Sequence, residues 1–170
     1  MPRINLSKLF SLVPFRRPSA NTKPDLSPDE ILQRAEHFCA FRERSPQEVR
    51  DKLHALGARG EIAEQIYTVL QTDGYFDEAR FAQLFVGGKF RINRWGRVRI
   101  RQALYQHRLP DPVVEHALTT AIEEQAYLQT LKQLAEQKKA QLAGDPQIRQ
   151  KTAAYLIRAG YEPELVFSTL

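Results

Sequence analysis

The chain has 170 residues, 42% hydrophobic and 26% charged, which bounds it to one medium soluble domain or a few small units in series and excludes a large multidomain enzyme. Its net charge of +5 is unevenly spread: residues 1–25 carry five cations against Asp25, and residues 88–110 carry seven cations and no acid, so the remainder is acidic. Such polarity is expected where one surface meets phosphates or an acidic partner.

Residues 1–26 read as a basic, proline-containing tail, because Pro14, Pro18 and Pro24 interrupt any helix. Leu6, Leu9, Phe10 and Leu12 leave room for a short amphipathic turn. No run approaches the roughly 18 apolar residues of a membrane helix. The stretch 9–15 also lacks a signal-peptide pattern, so a cytoplasmic location without membrane contact is expected.

A helical pattern starts at Ser27. Ser27 caps, Pro28 takes the first position, Asp29 and Glu30 fill the first turn, and Ile31, Ala35, Phe38 and Phe41 recur on one face. Ser45, Pro46 and Glu48 then form a capping box ahead of Val49, Leu53 and Leu56, with Gly57 as the stop. A third helix carries Ile62, Ile66 and Val69 and ends before Asp73-Gly74.

The pattern then begins again. Asp77 caps a helix with Phe81, Ala82 and Phe85; Gly96 precedes one with Ile100, Ala103 and Leu104; Pro112 opens one with Val113, Val114, Ala117 and Leu118. In a third round Ile122, Leu128, Leu131 and Leu134 lead to Leu142, Asp145-Pro146 caps a helix with Ile148, Tyr155 and Leu156, and Pro163 opens a last piece. Leu53, Leu104 and Leu156 recur at separations of 51 and 52, the mark of an internal repeat. The expected fold is all-α: three tandem three-helix repeats at 27–73, 74–120 and 121–170, forming an elongated, modular array. The alternative is an ordinary helical bundle in which the spacing is coincidence.

Tyr75-Phe76-Asp77-Glu78-Ala79-Arg80-Phe81-Ala82 after Asp73-Gly74, then Gly96 with Arg97, Ile100, Arg101 and Leu104, resembles the RecX family of bacterial recombination regulators. Ala35 to Phe38, Arg44-Ser45-Pro46 and Leu53 to Gly57 look like that family's opening repeat. The resemblance covers about residues 30–170. It implies three tandem repeats that bind RecA filaments along their groove and modulate, usually inhibit, the recombinase. One departure is His107-Arg108-Leu109, where the family usually has Lys-Gly: the helix must stop without glycine, at roughly 1 kcal/mol if Arg108 turns left-handed.

The candidate contact residues are the basic block, Lys89, Arg91, Arg94, Arg97, Arg99, Arg101 and Arg108. On a helix from Gly96, Arg97, Arg101 and Arg108 project to one side while Ile100, Ala103 and Leu104 point inward. Arginine's planar fork suits phosphate or carboxylate. An ordinary solvated face is the competing reading. Arg44, Arg80 and Trp95 are additional contact candidates, each also readable as structural: Arg44 beside a cap, Arg80 in an ion pair, Trp95 in packing. Tyr75, Phe76 and Phe81 are expected to pack where the first two repeats join.

No catalytic or metal constellation stands out. His37, His54, His107 and His116 are scattered, Cys39 has no second cysteine for a disulfide and reads as a buried small hydrophobe, Gly87-Gly88 lacks a P-loop, and Glu123-Glu124 are adjacent rather than facing. The expectation is a monomeric binding protein with no cofactor and no enzymatic activity, its partner a RecA filament on single-stranded DNA with direct DNA contact also open. The alternative is a stand-alone helical DNA-binding protein using the basic middle repeat. Against it, the helix after Gly60 carries Glu61 and Glu64 where a groove-reading helix would avoid acids.

Overall fold

A computed structural model describes residues 26–170, which form nine α-helices and, among the described residues, no strand. The tail reading and its amphipathic turn lie outside the described residues, apart from Leu26. The helices group into two compact units divided at Phe76 and Asp77.

The first unit contains α1 (Pro28–Phe41), α2 (Pro46–Ala55) and α3 (Gly60–Thr72), each packed on the other two. Two capping boxes start its first two helices. The Ser27 hydroxyl accepts from Glu30 N–H and the Glu30 carboxylate accepts from Ser27 N–H; Ser45 and Glu48 repeat the arrangement. Each box satisfies two donors that a helix start leaves open. Ile31, Ala35, Cys39, Val49, Leu53, Ile66, Tyr67, Leu70 and Phe76 are buried together. Burial pushes the Cys39 thiol up to about 11, so it stays protonated and inert. Phe41 departs from the expected face and is 85% exposed. Six residues at about 100° each carry it away from Ala35, whereas Cys39, four residues on, stays in line.

The second unit contains α4 (Glu78–Asn93), α5 (Arg97–Tyr105), α6 (Asp111–Thr120), α7 (Glu124–Gln141), α8 (Ile148–Arg158) and α9 (Pro163–Thr169). Helix α4 packs on α5 and α6, and α7 packs on α8 and α9. One apolar cluster runs from Phe81 through Ile100, Leu118, Tyr127, Leu131 and Leu156 to Val166, so both sets of three helices share a single core. Tyr75 and Phe76 belong to the first unit's cluster, with Phe76 5.0 Å from the Tyr67 ring, while Phe81 belongs to the second.

The repeat is visible in the middle helices, α2, α5 and α8, whose Leu53, Leu104 and Leu156 are all buried. Four residues beyond them stand Gly57, Arg108 and Gly160, all with positive φ (97°, 53° and 94°). Arg108 therefore enters the left-handed region that its two counterparts reach as glycines. On α8, Thr152, Ala153 and Leu156 face inward; Tyr155, expected among them, is 38% exposed. Asp145 acts ahead of that helix, its carboxylate accepting from Gln147 N–H at 2.8 Å, and the N-cap is Gln147.

Candidate anion-binding surface

The basic block falls where α4 ends and α5 begins. Arg94 stops α4 in a left-handed conformation, φ 54°, and its N–H returns to the Phe90 carbonyl at 2.9 Å. Helix α5 has Gly96 as its N-cap and no capping side chain, so its open donors need other partners. The third set of helices supplies them. Gly96 N–H donates to Ala159 O at 2.9 Å, Val98 N–H to Gly160 O at 3.0 Å, and Arg97 N–H to the Tyr127 hydroxyl at 3.0 Å.

This approach requires glycine on both sides. A Cβ on Gly96 would lie 2.1 Å from the Gly160 carbonyl carbon, and one on Gly160 would lie 2.6 Å from Arg99 N. The start of α5 thus meets the end of α8, the positive end of one helix dipole against the negative end of the other. Two tyrosines brace the joint: Tyr127 donates its O–H to Glu162 Oε2 at 2.7 Å, and Tyr161 donates to Arg94 O at 3.2 Å. Burial pushes both phenols up, and the Glu162 carboxylate adds to the rise at Tyr127, so both remain protonated donors.

Packing divides the block. Arg97 pairs with Glu124 at 2.7 Å and lies 4.1 Å over the Tyr127 ring, its side chain only 19% exposed. Arg101 holds Glu115 with a two-pronged contact, Nε and Nη2 donating to the two carboxylate oxygens at 2.7 and 2.8 Å. That contact outweighs desolvation and holds Arg101 above and Glu115 below their ordinary values. The expectation that Arg97, Arg101 and Arg108 present one free face is therefore corrected for the first two. The acids come from α6 and α7, outside the stretch that looks unopposed in sequence.

Other cations, two from the block and one from α8, stay available. Arg94, Arg99 and Arg158 form no salt bridge among the described residues. Arg99 lies 4.0 Å over the Trp95 ring and Lys89 Nζ is 4.8 Å from the same ring, so the indole orients two cations without neutralising either. Arg94, Trp95 and Arg99 then line a cleft of about 250 Å³ with Tyr155 and Arg158 from α8. Arg91 folds back along α4, its guanidinium nitrogens 2.8 and 2.9 Å from where a Cβ on Gly87 would stand. Arg108 is exposed at the end of α5, and Arg80 is exposed in the first turn of α4, where its N–H donates to Asp77 at 2.6 Å.

Arg44 is not the exposed contact that its sequence position suggested. Its side chain is 11% exposed, its Nε donates to Phe38 O at 3.1 Å, and its guanidinium lies 3.7 Å over the Phe38 ring. It fastens the end of α1 to the start of α2. Sequence reasoning missed Arg158 and took Tyr155 for core. Their separation of three on α8 placed them on one face, but nothing local tied that face to residues some sixty positions earlier.

Comparison with known proteins bears on the same region. Residues 77–118 match the model of RecX, second three-helix domain, and residues 125–170 that of RecX, third three-helix domain. The regulatory protein RecX of Prosthecochloris aestuarii is 31% identical over 142 residues, spanning 83% of this chain and 91% of that one. That of Thermotoga petrophila is 26% identical over 152 residues, 89% of each chain. This chain spans only 61% of the Clostridium acetobutylicum relative, to which it is 26% identical. The crystal structure of RecX from Lactobacillus salivarius has the same fold, with a TM-score of 0.78 at 18% identity over 84% of this chain and 93% of that one. Two of its helix triplets match that family's own domains, and a relative is 31% identical over most of both chains; this chain belongs to the RecX family of regulatory proteins.

Proposed function

We propose that the protein regulates the RecA recombinase by binding RecA filaments on single-stranded DNA, and that binding inhibits them. Family membership supplies the regulatory role and, by resemblance, the partner. The observation that carries the reading is the group of cations at the α4–α5 junction that the fold leaves unneutralised, Lys89, Arg94 and Arg99. Clustered like charges call for an external counter-charge, which a filament on DNA offers.

The mechanism is steric and electrostatic. Repeats bounded at 27–73, 74–120 and 121–170 lie along the filament, the middle one toward DNA or an acidic protein surface, and occupancy hinders strand exchange, ATP turnover or filament growth. The protein acts as a cytoplasmic monomer, without a cofactor and without catalysing a reaction.

The test is RecA ATPase and strand exchange on single-stranded DNA with the full chain titrated in, beside the triple variant Lys89→Ala, Arg94→Ala, Arg99→Ala. Dose-dependent inhibition is expected, shifted at least about tenfold to higher concentration in the variant if about three phosphate or carboxylate contacts are lost. No effect of the intact chain on either rate, together with tight, salt-sensitive binding to bare duplex, would replace this reading by the stand-alone DNA-binding protein.

A further inference from the structure

The geometry points to the cleft between the α4–α5 turn and α8 as a binding site for single-stranded DNA, with phosphates on Arg94, Arg99 and Arg158 and a base against Tyr155. It deepens the filament reading, on which it rests for its biological setting, by naming which strand the protein touches and where. The cleft of about 250 Å³ has three arginines and no acid among its lining residues.

A second hollow, in the first unit, shows what an internally satisfied cleft looks like. It measures about 300 Å³ and is lined by Arg50, Arg59 and Glu64. There Arg50 is paired with Glu64 at 2.6 Å, and Arg59 donates to the carbonyls of His54 and Ala58 at 2.6 and 2.7 Å. Both cations are used. In the α4–α8 cleft, by contrast, the contacts of Arg99 are with the Trp95 ring, which holds the guanidinium in place and leaves its charge intact.

The choice of ligand follows from what stands beside the charge. Guanidinium forks match phosphate oxygens two at a time. An acidic peptide would satisfy them equally but leave the 38% exposed Tyr155 ring at the rim without a flat partner. Cations interleaved with aromatic rings are the composition of grooves that track a single strand, where unstacked bases find π-faces. A duplex keeps those faces inside its own stack. Lys138, 5.3 Å from the Tyr155 ring, extends the positive rim.

The cleft has its own reporter, because Trp95 is the sole tryptophan of the chain. The full chain, without RecA, is titrated with short oligothymidylate at several salt concentrations, following Trp95 fluorescence and the anisotropy of a labelled oligomer. Saturable quenching that weakens with salt is expected. The double variant Arg99→Ala, Arg158→Ala should flatten the slope of log affinity against log salt by about 1.4, the share of two phosphate contacts on a single strand. Arg158→Gln alone, on an exposed helix position, should flatten it by about 0.7 and guards against misfolding of the double variant.

Tyr155→Ala should weaken oligothymidylate at least about fivefold and leave an abasic oligomer unchanged. Arg50→Gln, in the first unit's hollow and paired there with Glu64, should bind as the intact chain does. Unchanged slopes in both arginine variants, or tighter occupancy by oligoglutamate than by oligothymidylate, would overturn the inference. Inhibition of RecA by a chain that shows no binding to bare single strands would overturn it while leaving the filament reading in place. Cleft binding by a chain that leaves RecA untouched would do the reverse.

Discussion

At the scale of single residues, the same side chain is structural or available according to what packing sets opposite it. Arg97 and Arg99 are two positions apart, yet Arg97 is spent on Glu124 and Tyr127 while Arg99 reaches a cleft without an acid. Arg108 shows the backbone counterpart, holding φ 53° where its repeat mates are glycines. Arg108→Gly should raise stability by about 1 kcal/mol, read as an upward shift of the urea midpoint with unchanged slope. Gly96 is the opposite case. Gly96→Ala would set a methyl 2.1 Å from backbone that cannot swing aside, and should cost about 3 kcal/mol or more in thermal unfolding.

At the scale of elements, the helix starts were the most legible part of the sequence, because a cap is decided within four residues. Ser27, Ser45 and Asp77 all cap as their spacing indicates. Ser45 is fully buried, so Ser45→Ala should cost about 1–2 kcal/mol, more than the exposed Ser27→Ala, as compared by chemical denaturation. The box also predicts acid sensitivity. Burial alone would raise Glu48, but Ser45 N–H and the Arg42 and Arg44 guanidiniums outweigh it and hold its carboxyl low. Glu115 is held low by Arg101 and Asp145 by Lys151. With folded values below unfolded ones, the unfolded chain binds more protons in the intervening window. The stabilisation is present above the usual carboxylate range of about 4 and is lost as pH falls through it, so the melting temperature should drop below about pH 4.5 and Glu48→Gln should flatten that drop.

At the scale of the molecule, the second and third helix triplets are one folding unit. Phe90, Ile100, Leu104, Tyr127, Leu131, Leu156 and Tyr161 share a core, and the first donors of α5 are satisfied only by Ala159, Gly160 and Tyr127. A chain ending at Thr120 should therefore lose α4 to α6 as well as the missing helices. The helical signal per residue over 77–120 should collapse in circular dichroism, and its amides should exchange without protection. The α4–α8 cleft would vanish with it, since Tyr155 and Arg158 are absent from such a chain.

The sequence by itself determined the all-helical class, the starts and stops of most helices, the repeat near 51 residues, the concentration of charge at 88–110 and the family. All of these depend on short-range rules, caps and apolar periodicity, or on composition. Only the tertiary structure decided which arginines remain available, since the acids that neutralise Arg101 and Arg97 stand 14 and 27 positions away. It alone placed the third triplet's Gly160 against Gly96, buried Tyr127 and Tyr161 beneath that joint, and turned Tyr155 and Arg158 toward Trp95. Such pairings follow from which helix faces come together in the core, and a local pattern cannot encode a partner some sixty residues away.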